Sequence, residues 1–225
     1  GLLLTLAAVR EFVRLGHATG ARSQGPLPYA LAVMLLLLAR KPWKVWWSGS
    51  VLGRVHAEMA SAVAPEGLPS LRSALWNRLH ASDRVPPDVA KQAIGVLDGL
   101  PDGDRLCHGD FHPANVLFDA SGPVTIDWTN ARRGNPDADV ARTLVMLRLG
   151  APPPGTPVAL RVMAMVGRSI LTSAYLRSYR RLRPVDGETL RRWEFVRAAE
   201  RLVEGIPEER EGVLRFVAKA RKAMG

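Results

Sequence analysis

Leu106-Cys-His-Gly-Asp-Phe-His-Pro-Ala-Asn-Val-Leu-Phe118, followed by Val124-Thr-Ile-Asp-Trp128, is the stretch that decides the reading of this chain. Apolar residues lead into His108-Gly109-Asp110, and Asn115 follows five residues after Asp110. Val116-Leu-Phe118 and Val124-Thr-Ile126 are short β-prone runs. Asp119-Ala-Ser-Gly122 between them is turn chemistry, because Asp and Gly tolerate the backbone angles of a reversal. The pattern predicts a loop, a hairpin and a carboxylate, Asp127, at the hairpin's far end. A hairpin returns its second strand beside the start of its first, so Asp127 should come back near Asn115. Asp110 sits on the loop just upstream. Two carboxylates and an amide oxygen thus converge. A few hard oxygen ligands suit Mg²⁺, which keeps waters and shares its shell with phosphate oxygens. A third group that does not bind metal is free to accept a proton or orient a nucleophile.

The spacing matches a protein-kinase catalytic loop, H-R-D-L-x-x-x-N, followed by a metal-binding Asp. Gly109 in place of Arg and Asp127-Trp128 in place of Asp-Phe-Gly resemble one branch, the aminoglycoside phosphotransferase family, which includes choline-kinase-like enzymes. Gly134-Asn-Pro-Asp-Ala-Asp-Val-Ala141 resembles the family segment that places an Asp at the head of the next helix. The resemblance covers roughly Leu52 to the C-terminus. It implies an α+β fold: a kinase-like C-lobe, mostly helical, with a small catalytic β-hairpin. It also implies transfer of the γ-phosphate of ATP or GTP, with Mg²⁺, to an acceptor hydroxyl. The residue roles follow from it: Asp110 is catalytic, Asn115 and Asp127 are metal ligands, and His108 and Asp139 support the loop. His112 stands where protein kinases carry a Lys and is a candidate phosphate or substrate contact.

The 225 residues suffice for one generous domain or two small ones, and 47% apolar residues support a packed core. Cys107 is the single cysteine, which excludes an internal disulfide framework and fits a reducing cytoplasm. It reads as a small buried residue. The net charge is +10, carried by 26 Arg against 5 Lys. The basic residues are spread along helices rather than clustered with aromatics, which disfavours nucleic acid as a partner.

At the N-terminus, Leu2–Leu15 has helical apolar spacing, and Tyr29–Ala39 is a nearly continuous apolar run too short to span a membrane. Trp43-Lys-Val-Trp-Trp47 reads as a short strand or an amphipathic patch covering a core edge. A kinase-like N-lobe has a sheet, a Gly-rich loop and a phosphate-binding lysine. Nothing before Leu52 has that pattern, and Gly49-Ser-Val-Leu-Gly53 lacks the glycine spacing. The chain therefore divides into 1–48, an atypical helical segment in place of the N-lobe, and 49–225, the C-lobe. A second chain, or a copy of this one, could complete the cleft. The rival to the enzyme is a truncated kinase-like remnant or binding module without phosphotransfer activity.

From Val51 the chain reads as helices at 51–60, 68–80 and 88–100, with Leu68, Leu71, Leu75, Trp76 and Leu79 inward on the second. His56 reads as a packed helix histidine with one satisfied nitrogen. Arg132 and Arg133 fall in a solvated loop, and Asp137 or Asp139 begins a helix to Leu149. Ala151–Gly155 is a rigid break. Helices over 158–181, 188–204 and 208–224 carry core stripes that include Leu160, Met163 and Val166. By resemblance these helices frame the acceptor. Glu188, Glu194, Glu200, Glu204, Glu208, Glu209 and Glu211 are candidate acceptor contacts or, equally, helix-surface charges paired with arginines.

Overall fold

A computed structural model describes residues 41–150 and 158–224. The N-terminal helical readings and the break at 151–155 lie outside the described residues.

Helix α1 (Pro42–Met59) starts at a proline, which loses nothing at a first turn that has no intrahelical N–H bond to make. It takes up the Trp43–Trp47 stretch, so the strand reading there is corrected. Val45 faces inward, while Trp43, Trp46 and Trp47 are 65%, 45% and 49% exposed. The tryptophans do not cap the core; Trp47 stacks on Phe118 of the hairpin, with ring centroids 5.8 Å apart. The helix is continuous across residues 48 and 49.

α1 lies along α5 (Val158–Leu182), and glycines let the two backbones approach. A Cβ on Gly49 would collide with the Leu171 carbonyl oxygen, and one on Gly53 with that of Tyr175. The Gly49-x-x-x-Gly53 spacing is thus a helix-packing seam one turn long. α5 buries Ala164, Gly167, Leu171, Ala174, Tyr175 and Tyr179 on that side. Leu160 and Val166, read above as core, are exposed instead.

α2 (Leu71–Ala81) and α3 (Pro87–Asp98) pack together, with Leu71, Leu75, Leu79, Val89, Ala93 and Leu97 buried. Ser70 caps α2 by accepting the Ser73 N–H. Trp76 points outward and stacks on His80, four residues on, rather than into the core. α6 (Gly187–Arg201) is the central helix. It packs on α4 (Pro136–Leu149), α3 and α7 (Pro207–Met224) and is buried almost continuously from Trp193 to Arg201. Burying a large apolar side chain such as Phe195 or Leu97 contributes roughly 1.5–3 kcal/mol.

Two small antiparallel sheets sit on this helical body. β1 (Arg105–Cys107) pairs with β4 (Arg132–Gly134), so Arg132 and Arg133 lie on a strand and not in a free loop. β2 (Val116–Asp119) and β3 (Gly122–Thr125) form the expected hairpin, with Val116 opposite Thr125. Asp119 Oδ1 closes its turn by accepting the N–H groups of Ser121 (2.7 Å) and Gly122 (3.1 Å). Gly122 has a φ of 127° that other residues avoid.

Candidate active site

The loop between β1 and β2 is held from behind by α4. Asn135 caps that helix by accepting the Asp137 N–H at 2.8 Å, which leaves Asp139 free to turn away from the helix start. Asp139 Oδ2 accepts the His108 N–H at 2.6 Å, and its Oδ1 accepts the Gly109 N–H at 2.9 Å. One buried carboxylate therefore fixes two successive loop amides. Burial raises its pKa, but His56, Arg197 and the Gly109 N–H outweigh that and hold it below the ordinary carboxylate value.

Asp139 is itself positioned from α1. His56 Nε2 lies 3.2 Å from Asp139 Oδ2, and His56 Nδ1 lies 2.7 Å from the Tyr175 hydroxyl on α5. Both ring nitrogens are engaged, not one. Burial pushes the Tyr175 hydroxyl far above the usual phenol value, so it remains a protonated donor. One residue along, Thr143 of α4 donates to the Phe111 carbonyl at 2.8 Å.

The histidine of the loop works inward. His108 is fully buried, and its Nε2 donates to the Ile126 carbonyl at 3.0 Å while its Nδ1 accepts the Asp110 N–H at 3.3 Å. It thereby ties the loop to the end of the hairpin. Gly109 makes the turn with φ 80°.

Asp110 faces solvent, its side chain 27% exposed. Its Oδ2 lies 3.6 Å from His112 Nε2, and its Oδ1 lies 3.7 Å from Arg142 Nη2. His112 Nδ1 accepts the Ala114 N–H, so its remaining proton sits on the nitrogen toward Asp110. Partial burial raises the Asp110 pKa, yet His112, Arg142 and Arg201 lower it more, and the carboxyl stays ionised below its ordinary range.

Asn115 is buried at the end of a short 3₁₀ turn, Pro113–Asn115. Its Nδ2 donates to the Asp110 carbonyl at 3.0 Å, which leaves its amide oxygen as an uncommitted acceptor. Its own carbonyl accepts the Ile126 N–H at 2.9 Å. Asp127 is therefore the residue directly after the one paired with Asn115. It is exposed and left-handed (φ 62°, ψ 66°), and its Oδ1 accepts the Thr129 hydroxyl at 2.7 Å.

Among the described residues no group of three His, Cys, Asp or Glu side chains could hold a metal by itself. A donor set of one amide oxygen and one carboxylate fits Mg²⁺, whose shell is completed by water and phosphate oxygens. Cys107 is fully buried, and burial pushes its thiol far above its usual value, so it is inert.

Of the acidic helix residues, Glu194, Glu200 and Glu209 are buried. They are not helix-surface charges. Glu200 meets Arg78, Arg142 and Arg197, Glu204 meets Arg142 and Arg201, and Arg201 also grips Glu209. Arg142 and this lattice escaped the sequence reading. The one signal for Arg142 was its place three residues after Asp139, on the same helix face.

No helix among the described residues is long and apolar enough to cross a membrane. The fold is similar to that of a solved structure, the amicoumacin kinase hAmiN in complex with AMP-PNP, Ca²⁺ and Ami. The TM-score is 0.50 at 15% sequence identity, over 80% of this chain and 58% of the kinase. YcbJ of Bacillus subtilis (strain 168), an uncharacterised protein, is 29% identical over 40% of this chain and 33% of its own length. The chain thus spans about a third of that relative. Residues 45–185, more than half of the chain, match the family described as the phosphotransferase enzyme family, APH, and the chain belongs to that family.

Proposed function

We propose that this chain carries the phosphate-transfer centre of a small-molecule kinase, moving the γ-phosphoryl group of ATP or GTP to an acceptor hydroxyl. The observation that carries the reading is Asp110: a partly exposed, ionised carboxylate on a loop whose backbone is clamped by buried Asp139. Phosphoryl transfer through a loose transition state asks a protein for in-line positioning and charge neutralisation more than for covalent chemistry. A fixed carboxylate meets the first need by holding the acceptor O–H and taking its proton.

The Asn115 amide oxygen and the Asp127 carboxylate would hold Mg²⁺. Bound there, the ion neutralises developing charge on the phosphate oxygens. His108 does no chemistry in this scheme; it ties the loop to the hairpin. The Nε2–H of His112 stands beside Asp110, where it can donate to an incoming phosphate or acceptor oxygen. The kinase whose structure resembles this one was solved with a nucleotide analogue and a divalent cation, which supports the same pairing of ligands here.

The test is transfer of labelled γ-phosphate to a panel of amino alcohols and sugars by the wild-type chain and by Asp110→Asn. Loss of about 10²–10⁴ in rate, with the variant still folded, is the expected result. Transfer by the variant within a few-fold of wild type would remove Asp110 from the chemistry. No transfer and no nucleotide binding by the wild type would leave this chain a kinase-like binding module.

A further inference from the structure

We propose that Arg142 is a positioning residue that fixes the Asp110 carboxylate and ties it to α6 and the turn that follows. The proposal rests on the reading of Asp110 as the acceptor-side carboxylate.

α4 presents three consecutive handles to the loop. Asp139 holds the amides of residues 108 and 109, Thr143 holds the carbonyl of residue 111, and Arg142 faces the side chain of residue 110 between them. The backbone on both sides of Asp110 is thus fixed by the helix that also reaches its carboxylate. Without Arg142 the carboxylate would turn freely about its own side-chain bonds.

Arg142 is 5% exposed and cannot swing away. Its Nη2 lies 3.7 Å from Asp110 Oδ1 and 2.5 Å from Glu204 Oε1, and its Nη1 lies 3.5 Å from Glu200 Oε2. The planar guanidinium makes these directions interdependent, which a lysine could not reproduce. Three anions around one buried cation hold its pKa up against the cost of burial. Glu200 and Glu204 also share the field of Arg142, so Asp110 is oriented without being fully neutralised.

Stability alone does not call for this arrangement. A buried ion cluster is often no better than apolar packing of the same volume. Arg142 Nε has no hydrogen-bond partner among the described residues. A positive charge next to a proton acceptor also lowers its basicity. Loose phosphoryl transfer tolerates that loss, because orientation of the hydroxyl matters more than early proton removal.

The test is a double-mutant cycle over wild type, Arg142→Met, Asp110→Asn and the double variant. It uses turnover of Mg·ATP with water as acceptor, alongside thermal unfolding of the same four proteins. Arg142→Met should lower kcat about tenfold or more with KM for ATP within about threefold. In the Asp110→Asn background it should cost almost nothing, because both changes remove the same oriented group. Arg142→Lys keeps the charge but loses the fork, and should recover part of kcat; it replaces the Met variant if that fails to fold.

An Arg142→Met kcat within twofold of wild type, or an equal loss in both backgrounds, overturns the proposal. If the wild type and Asp110→Asn turn over equally, the functional reading of Asp110 has failed instead. The unfolding cycle then decides the pairing. Tm losses that are smaller together than summed support the Arg142–Asp110 link, and additive losses overturn it.

Discussion

The two halves of the candidate site are built on opposite principles. The Asp110 side is clamped from several directions. His108, Asp139 and His56 are almost wholly buried, and each hydrogen bond among them joins a different pair of elements. The Asp127 side is open. Asp127, Trp128, Thr129 and Asn130 are all exposed, and Asp127 holds a left-handed backbone with a neighbouring hydroxyl as its side-chain partner. The difference separates what is preformed from what a ligand must complete. A carboxylate that positions a hydroxyl is useful only if it is already in place. One that grips a cation and phosphate must stay reachable, and tolerates strain that ligand contacts offset.

The largest effect should come from the clamped half. Asp139→Ala removes the acceptor of two loop N–H groups and leaves His56 without its carboxylate. We expect a loss of about 3–5 kcal/mol, measured by chemical denaturation. The same carboxylate sets an acid limit. Its folded pKa is depressed, so its stabilising contribution is fully present above the unfolded value near 3.8 and is lost as pH falls below it. The variant should therefore show a shallower stability decline below about pH 4 than the wild type. Equal acid profiles would mean the clamp is energetically idle.

The seam between the halves comes next. Gly109 touches Asn130: a Cβ there would run into the Asn130 carbonyl oxygen, and φ is 80°. Gly109→Ala should cost about 2–3 kcal/mol from the left-handed penalty plus the clash. It should weaken nucleotide binding along with stability. A loss of stability alone would show that the seam does not couple the two sides.

The smallest effect should come from the open half, with the opposite sign. Asp127→Gly relieves a left-handed non-glycine residue, so thermal stability should rise by about 1 kcal/mol while Mg²⁺-dependent binding disappears. Destabilisation by this change would mean Asp127 carries a structural contact not seen in its surroundings.

The same contrast explains what could be read from the sequence. Asn115 and Asp127 lie at the two ends of a local hairpin, so spacing and turn chemistry alone bring them together. Asp139 was legible because its segment resembles a family motif. Arg142, the Tyr175 contact of His56 and the burial of Glu200 depend on how α4, α5 and α6 pack, which no local period encodes. Trp43–Trp47 misled through composition. Three tryptophans look β-prone, yet Val45, Gly49, Leu52 and Gly53 repeat at helical spacing and Pro42 marks the start. Trp76 likewise fits an apolar stripe but stacks on His80 outside the core.

The central claim is that Asn115 and Asp127 form a cation-dependent phosphate site beside a preformed Asp110. Calorimetric titration of ATP and GTP, with and without Mg²⁺, on the wild type and Asp127→Ala tests it most directly. The account predicts Mg²⁺-dependent binding in the micromolar to millimolar range usual for enzyme substrates, abolished in a variant that stays folded. Nucleotide binding that ignores Mg²⁺, or that survives Asp127→Ala unchanged, would contradict it.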